Sequence, residues 1–148
     1  MNEQTIRIIH SEAYGTIEVE SAQIIHFPRS IIGLSDYHDY ALVRIEDTPY
    51  YLLHSLEDDV SFILLPAQLA IEDYGFRIDQ STIDLLGIEK PEDVTTFLIV
   101  NIDGDQLYVN LKAPLLLAID NQRGCQFIID AAAYPLRYPL TRRGGESC

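Results

Sequence analysis

The chain has 148 residues, enough for one domain that buries roughly 70% of its unfolded surface without disulfides or metals. At 47% hydrophobic and 22% charged it is globular in composition and not disordered. Its 23 acidic and 10 basic residues leave a net charge of −13, a surface that repels nucleic acid and anionic lipid and draws basic protein surfaces inward.

The acids are unevenly spread. Seven fall between Asp36 and Asp59 against the single base Arg44, and seven more between Glu72 and Asp93 against Arg77 and Lys90. The C-terminal end runs the other way, with Arg137, Arg142 and Arg143 against Glu146. Cys125, in an apolar run, and Cys148, in a polar tail, form no disulfide framework and point to a reduced compartment. Met1-Asn2-Glu3-Gln4 lacks the basic-then-apolar layout of a signal peptide. No apolar run approaches the roughly 20 residues of a membrane helix. A cytoplasmic protein without a membrane partner is expected.

In chain order the dominant period is two, the mark of strands. Strands are predicted at Thr5–Ile9, Thr16–Glu20 (Ile17 and Val19 on one face, acids on the other), Gln23–Phe27 before Pro28, and Tyr40–Ile45 before the turn Glu46-Asp47-Thr48-Pro49. Tyr50–Ser55 and Val60–Leu65 flank Leu56-Glu57-Asp58-Asp59, a short polar connection that suits a hairpin. One turn of helix fits Pro66–Tyr74. A second helix is predicted around Ile83–Leu86, opened by Ser81 as N-cap with Asp84 completing a capping box, and ended by Gly87. Thr95–Ile102 and Gln106–Leu111 flank Asp103-Gly104-Asp105, a tight-turn signal. Pro114–Ile119 and Cys125–Ile129 flank the turn Asp120–Gly124. Nine or ten short strands at this spacing argue for a barrel or sandwich, in one all-β domain over residues 1–140 with a flexible polar tail over 141–148.

Catalytic chemistry finds no footing. His10, His26, His38 and His54 share no ligand spacing, and Asp103-Gly104-Asp105 lacks the rest of a calcium loop. Glu57-Asp58-Asp59 has no neighbouring base, nucleophile or oxyanion donor in sequence, and Cys125 no His at a recognisable spacing. There is no phosphate-binding glycine loop. The residues therefore predict a binding protein without cofactor, metal site or catalytic residue.

Three stretches carry a resemblance. The first is Phe27-Pro28-Arg29-Ser30-Ile31-Ile32-Gly33-Leu34 with Tyr37 and Tyr40. The second runs from Pro49-Tyr50-Tyr51-Leu52-Leu53-His54-Ser55-Leu56-Glu57-Asp58-Asp59 into Phe62 and Pro66. The third is Val109-Asn110-Leu111-Lys112-Ala113-Pro114, continuing through Gly124, Gln126, Tyr134, Arg137 and Leu140. In order, spacing and length they resemble the bacterial flagellar assembly factor family FliW, from about Thr5 to Leu140. Asn110-Leu111-Lys112-Ala113-Pro114 is the most specific piece. The family usually has Gly where Ser30 stands, Phe or a similar residue near Leu34, and Gln where His54 stands.

The resemblance implies a compact antiparallel β-barrel-like domain with one or two short helices, no catalysis, and two partners. One is flagellin, bound before export. The other is CsrA, a small RNA-binding translational repressor that the free protein would bind, lifting repression of flagellin translation. The free chain is expected to be a monomer. Phosphate contacts dominate the affinity of an RNA-binding protein, so a −13 body docked beside its RNA path would weaken RNA binding. That places the working acidic face on Asp36, Asp39, Glu57, Asp58 and Asp59, with Glu72 and Asp73 as a second candidate segment. Phe27, Leu52, Phe62 and Leu111 read as core, and Gly33, Pro66, Asn110 and Pro114 as shapers of turns and strand ends; Pro28, Ser55 and Ala113 complete the structural residues of the motifs. Two other readings stay open: a dedicated flagellin chaperone, which would show an apolar groove, and a small-molecule-binding or hydrolytic barrel, which would need a deep polar-lined pocket.

Overall fold

The computed structural model describes residues 6–130 and 134–140. The proposed tail at 141–148 and the start of the first predicted strand at Thr5 lie outside the described residues. The strands are β1 (Ile6–Ser11), β2 (Gly15–Glu20), β3 (Ile24–His26), β4 (Asp39–Arg44), β5 (Tyr51–Ser55), β6 (Ser61–Pro66), β7 (Thr95–Asp103), β8 (Gln106–Val109), β9 (Leu115–Ala118), β10 (Arg123–Gln126) and β11 (Tyr138–Pro139). Two short helices, α1 (Ala67–Ala70) and α2 (Gln80–Leu86), lie between β6 and β7.

Seven strands close on themselves. The run β7-β6-β5-β4-β3-β10-β9 returns to β7, because the first half of β7 pairs with β9 while its second half pairs with β8. β11 extends the β8 flap. An odd ring cannot alternate strand direction all the way round, so one pairing must be parallel. Here it is β3 with β10, joined through His26 and Arg123. The expected antiparallel barrel is thus antiparallel at every seam but this one.

The period-two pattern sorts side chains across the wall. Ile25, Phe27, Tyr40, Leu53, Leu64, Phe97, Leu115 and Leu117 point inward and fill the barrel. The alternate residues point outward but are covered too. Leu65, Leu98 and Val100 lie under the β8–β11 flap and α1, and Leu116 and Cys125 lie under α2 with Phe76 and Ile78. Ala41 and Val43 lie under the β1–β2 ribbon, through Ile9 and Val19. Burial on both faces explains the near-continuous apolar runs at Leu52–Leu53 and Leu115–Leu117. Cys125 is a buried apolar residue here, its thiol pushed up to about 11 by burial.

Three local expectations are corrected. The N-cap of α2 is Asp79 and not Ser81: Asp79 accepts from the Thr82 backbone N–H at 2.9 Å, and its carboxyl is held below its ordinary value by Thr82. Gly87, at φ 69°, closes that helix as anticipated. The β7–β8 turn is Gly104-Asp105, closed by the Asp103–Gln106 pair. Positive φ falls on Gly104 alone, the pattern of a II′ turn and not of an Asp-Gly I′ turn. Gly124 is not a turn residue. The chain reverses through a 3-10 turn at Ile119–Asn121 and Gln122 at φ 55°, which places Gly124 inside β10. A Cβ there would stand 2.8 Å from the side-chain ends of both Leu117 and Phe27, so any larger residue would have to displace the packed interior of the wall.

Candidate protein-binding site

Five of the predicted acidic residues gather at one end of the barrel. The β5–β6 connection carries Glu57, Asp58 and Asp59, Asp36 lies in the segment leading into β4, and Asp39 opens β4. Antiparallel pairing of Tyr40 with Ser55 sets the start of β4 against the end of β5. Glu72 and Asp73 do not join them. They follow α1 beyond Pro66, at the far end of β6, a six-residue strand that spans about 20 Å.

The acidic loop is held in shape from below. Ser55, itself buried, accepts from the backbone N–H groups of Glu57 (2.9 Å) and Asp58 (3.3 Å), a Ser turn that folds the acids over. The Tyr37 hydroxyl donates to Asp58 at 2.7 Å. That bond, followed by the Asp59 N–H, holds the Asp58 carboxyl below its ordinary value, while the same bond raises the Tyr37 phenol. The His38 N–H donates to Glu57 at 3.2 Å. His54 is only 1% exposed; its Nδ1 donates to the Ser55 carbonyl at 2.8 Å, and its Nε2 faces Asp59 at 3.2 Å. Asp59 also accepts from the Glu12 N–H at 3.2 Å. Asp39 pairs with His26 at 2.8 Å. Beneath the loop Tyr40 is fully buried and its phenol is pushed up to about 12, by burial first and by Glu57 second.

The roles of Tyr37, His54 and Glu12 were not legible in sequence. Tyr37 and Glu12 reach partners 21 and 47 positions away, and His54 meets Asp59 through the fold of the β5–β6 connection.

The motif residues have their own places. Phe27 and Pro28 open a turn closed by the Ser30 N–H on the Phe27 carbonyl, with Ser30 at φ 55° and Gly33 at φ 88°. Asn110 caps its own loop, its Oδ1 accepting from Lys112 N–H (2.9 Å) and Ala113 N–H (3.0 Å). Leu111 and Ala113 are buried, and Pro114 leads into β9 while its carbonyl accepts from Phe127. Pro66 ends β6 and starts α1; Phe62 packs half-buried against the barrel core. Among the described residues no cluster of metal-ligating side chains occurs, and no helix is long and apolar enough to cross a membrane.

A family model described as FliW protein matches residues 8–140. The chain belongs to the FliW family. A flagellar assembly factor FliW of Caldicellulosiruptor saccharolyticus is 34% identical over 136 residues, covering 90% of each chain. One from an Exiguobacterium species is 35% identical over 136 residues, covering 89% of this chain and 93% of its own. A crystal structure of the flagellar assembly factor FliW superposes with a TM-score of 0.84 at 24% identity, covering 90% of this chain and 96% of that one. At that identity the match speaks to the fold, the closed barrel of the family.

Proposed function

We propose that the chain is a cytoplasmic flagellar assembly factor that binds flagellin and, when free, binds a CsrA-type translational repressor and antagonises its hold on RNA. The observation that carries the reading is the organised acidic end, where five carboxylates share one end of the barrel and Glu57, Asp58 and Asp59 are fixed by side-chain and backbone donors. Fixed charge is what such a mechanism needs. Unit charges about 4 Å apart interact by about 1 kcal/mol in water, and salt screens them beyond about 8–10 Å. An acidic face therefore disturbs RNA binding only when docking sets it close to the RNA path, and a loop already ordered loses less entropy on docking.

The protein acts in this reading as a binding partner and not as an enzyme. The barrel axis is filled by Tyr40, Phe97 and the aliphatic residues around them, which leaves the small-molecule barrel reading without a chamber. The test reverses Glu57, Asp58 and Asp59 to Lys and measures repressor binding and RNA release side by side with flagellin binding. Loss of RNA release in a folded variant is expected. Unchanged release would remove this loop from the mechanism, and flagellin binding alone in the wild-type chain would favour the dedicated chaperone.

A further inference from the structure

We propose that the open edge of β1 is a strand-addition site for an extended partner segment in which apolar and basic residues alternate. β1 pairs with β2 over an uninterrupted six-residue register from Ile6–Glu20 to Ser11–Gly15, and among the described residues its other edge has no strand partner. An isolated two-stranded ribbon would be too mobile to act as a template. This one is anchored, because Ile9 and Val19 are buried against Ala41 of the barrel wall.

Edge strands are commonly blunted by proline, lysine or a bulge. β1 has none of these, and Arg7 is its only charged residue. Its outer row is apolar and open: Ile6 is 57% exposed and Ile8 54%. Along the edge runs a groove of about 410 Å³ between Arg7–His10 and the His54–Asp59 loop. The Asp59 carboxylate closes one end of it by accepting the Glu12 N–H.

Charge selects the occupant. The far wall of the groove carries Glu57, Asp58 and Asp59, while on the ribbon's outer face Glu20 stands opposite Ile6 and Glu18 opposite Ile8. A strand laid on β1 would meet an apolar row with acids on both flanks, which suits alternate apolar and Lys or Arg side chains. A second copy of this chain would bring its own −13 and its own acidic row to the same place, so self-pairing is opposed. The inference rests on the reading of the acidic end as a binding face but on neither named partner.

The test uses the full chain and synthetic peptides of about ten residues, long enough to span the edge. An alternating Val–Lys peptide is compared with an alternating Val–Glu peptide and with a Val–Lys peptide carrying Pro at every third position. Binding is followed by calorimetry, and the edge by amide exchange and chemical shifts of β1. The Val–Lys peptide alone should bind and protect β1 amides. Ile6→Asn with Ile8→Asn, charge-neutral changes at exposed positions, should keep the melting temperature and weaken the peptide by roughly tenfold or more. Equal binding to that variant, or equal binding of the Pro-bearing peptide, would show plain charge attraction and overturn the site. A wild-type dimer abolished by the same variant would overturn it in favour of self-pairing. Failure of the functional reading would show separately, as absent flagellin and repressor binding by the wild-type chain.

Discussion

At the β5–β6 end of the barrel Glu57, Asp58 and Asp59 each have a fixed partner, whereas Glu72 and Asp73 at the other end of β6 stand in a turn with no hydrogen-bond partner among the described residues. Both segments were candidate acidic faces in sequence, the first as a hairpin connection and the second within the stretch expected to hold a turn of helix. The difference lies beneath them. Under the first loop sit Ser55, His54 and Tyr37, polar groups aimed upward. Next to the second sits Tyr74, whose hydroxyl is spent on the Leu111 carbonyl and whose ring packs on Phe76 and Tyr134. On the proposed reading, equal charge is therefore unequally useful, since organised carboxylates dock at lower entropic cost than solvated ones.

The sharpest way to break this contrast is charge reversal at each end. Glu57→Lys with Asp58→Lys and Asp59→Lys should weaken the repressor by roughly 100-fold or more at low salt, while Glu72→Lys with Asp73→Lys should stay within roughly twofold. Calorimetry at two salt concentrations decides it, and equal losses would mean that net charge and not the organised loop matters.

Smaller effects sharpen the same contrast. Ser55→Ala strips the buried acceptor from two loop N–H groups and should cost about 1–2 kcal/mol in denaturant unfolding, with a measurable loss of repressor affinity. Tyr74→Phe should cost about 1 kcal/mol and leave that affinity unmoved. If both variants bind alike, loop order is not part of recognition.

Ser30→Gly should stabilise by about 0.5–1 kcal/mol, because Ser30 at φ 55° carries a left-handed penalty that glycine escapes. It lies away from both acidic segments in its bonding, so binding should follow stability alone.

The acid limb of stability has a definite sign. Asp58, Asp79 and Asp93 are held below their ordinary value near 3.8, by the Tyr37 hydroxyl, by Thr82, and by the Glu89 and Lys90 N–H groups respectively. Their contribution is full above that value and is lost as pH falls through the lower folded values. Chemical denaturation from pH 7 down to about pH 3 should show stability declining only once pH drops below about 5, and Tyr37→Phe should shallow that decline. On the alkaline side Tyr40 acts with opposite sign: its raised phenol contributes below its ordinary value near 10, and that contribution fades as pH rises toward about 12.

Local chemistry made much of the molecule legible from the chain alone. Apart from β10, which begins two residues and ends three residues before the expected Cys125–Ile129, period-two runs located the barrel strands within a residue or two, because alternation is a property of each strand by itself. Gly87 as a helix stop and Asn110 as a loop former acted through bonds to near neighbours, and the acidic excess needed no structure to count. What tertiary structure alone decided is everything set by register between distant strands. It chose which of the two acidic segments is organised, placed Tyr37 under Asp58, and put Gly124 inside the wall where the sequence pattern suggested a turn. It also forced the single parallel seam, since strand direction around a closed ring of seven is a property of the ring and of no strand within it.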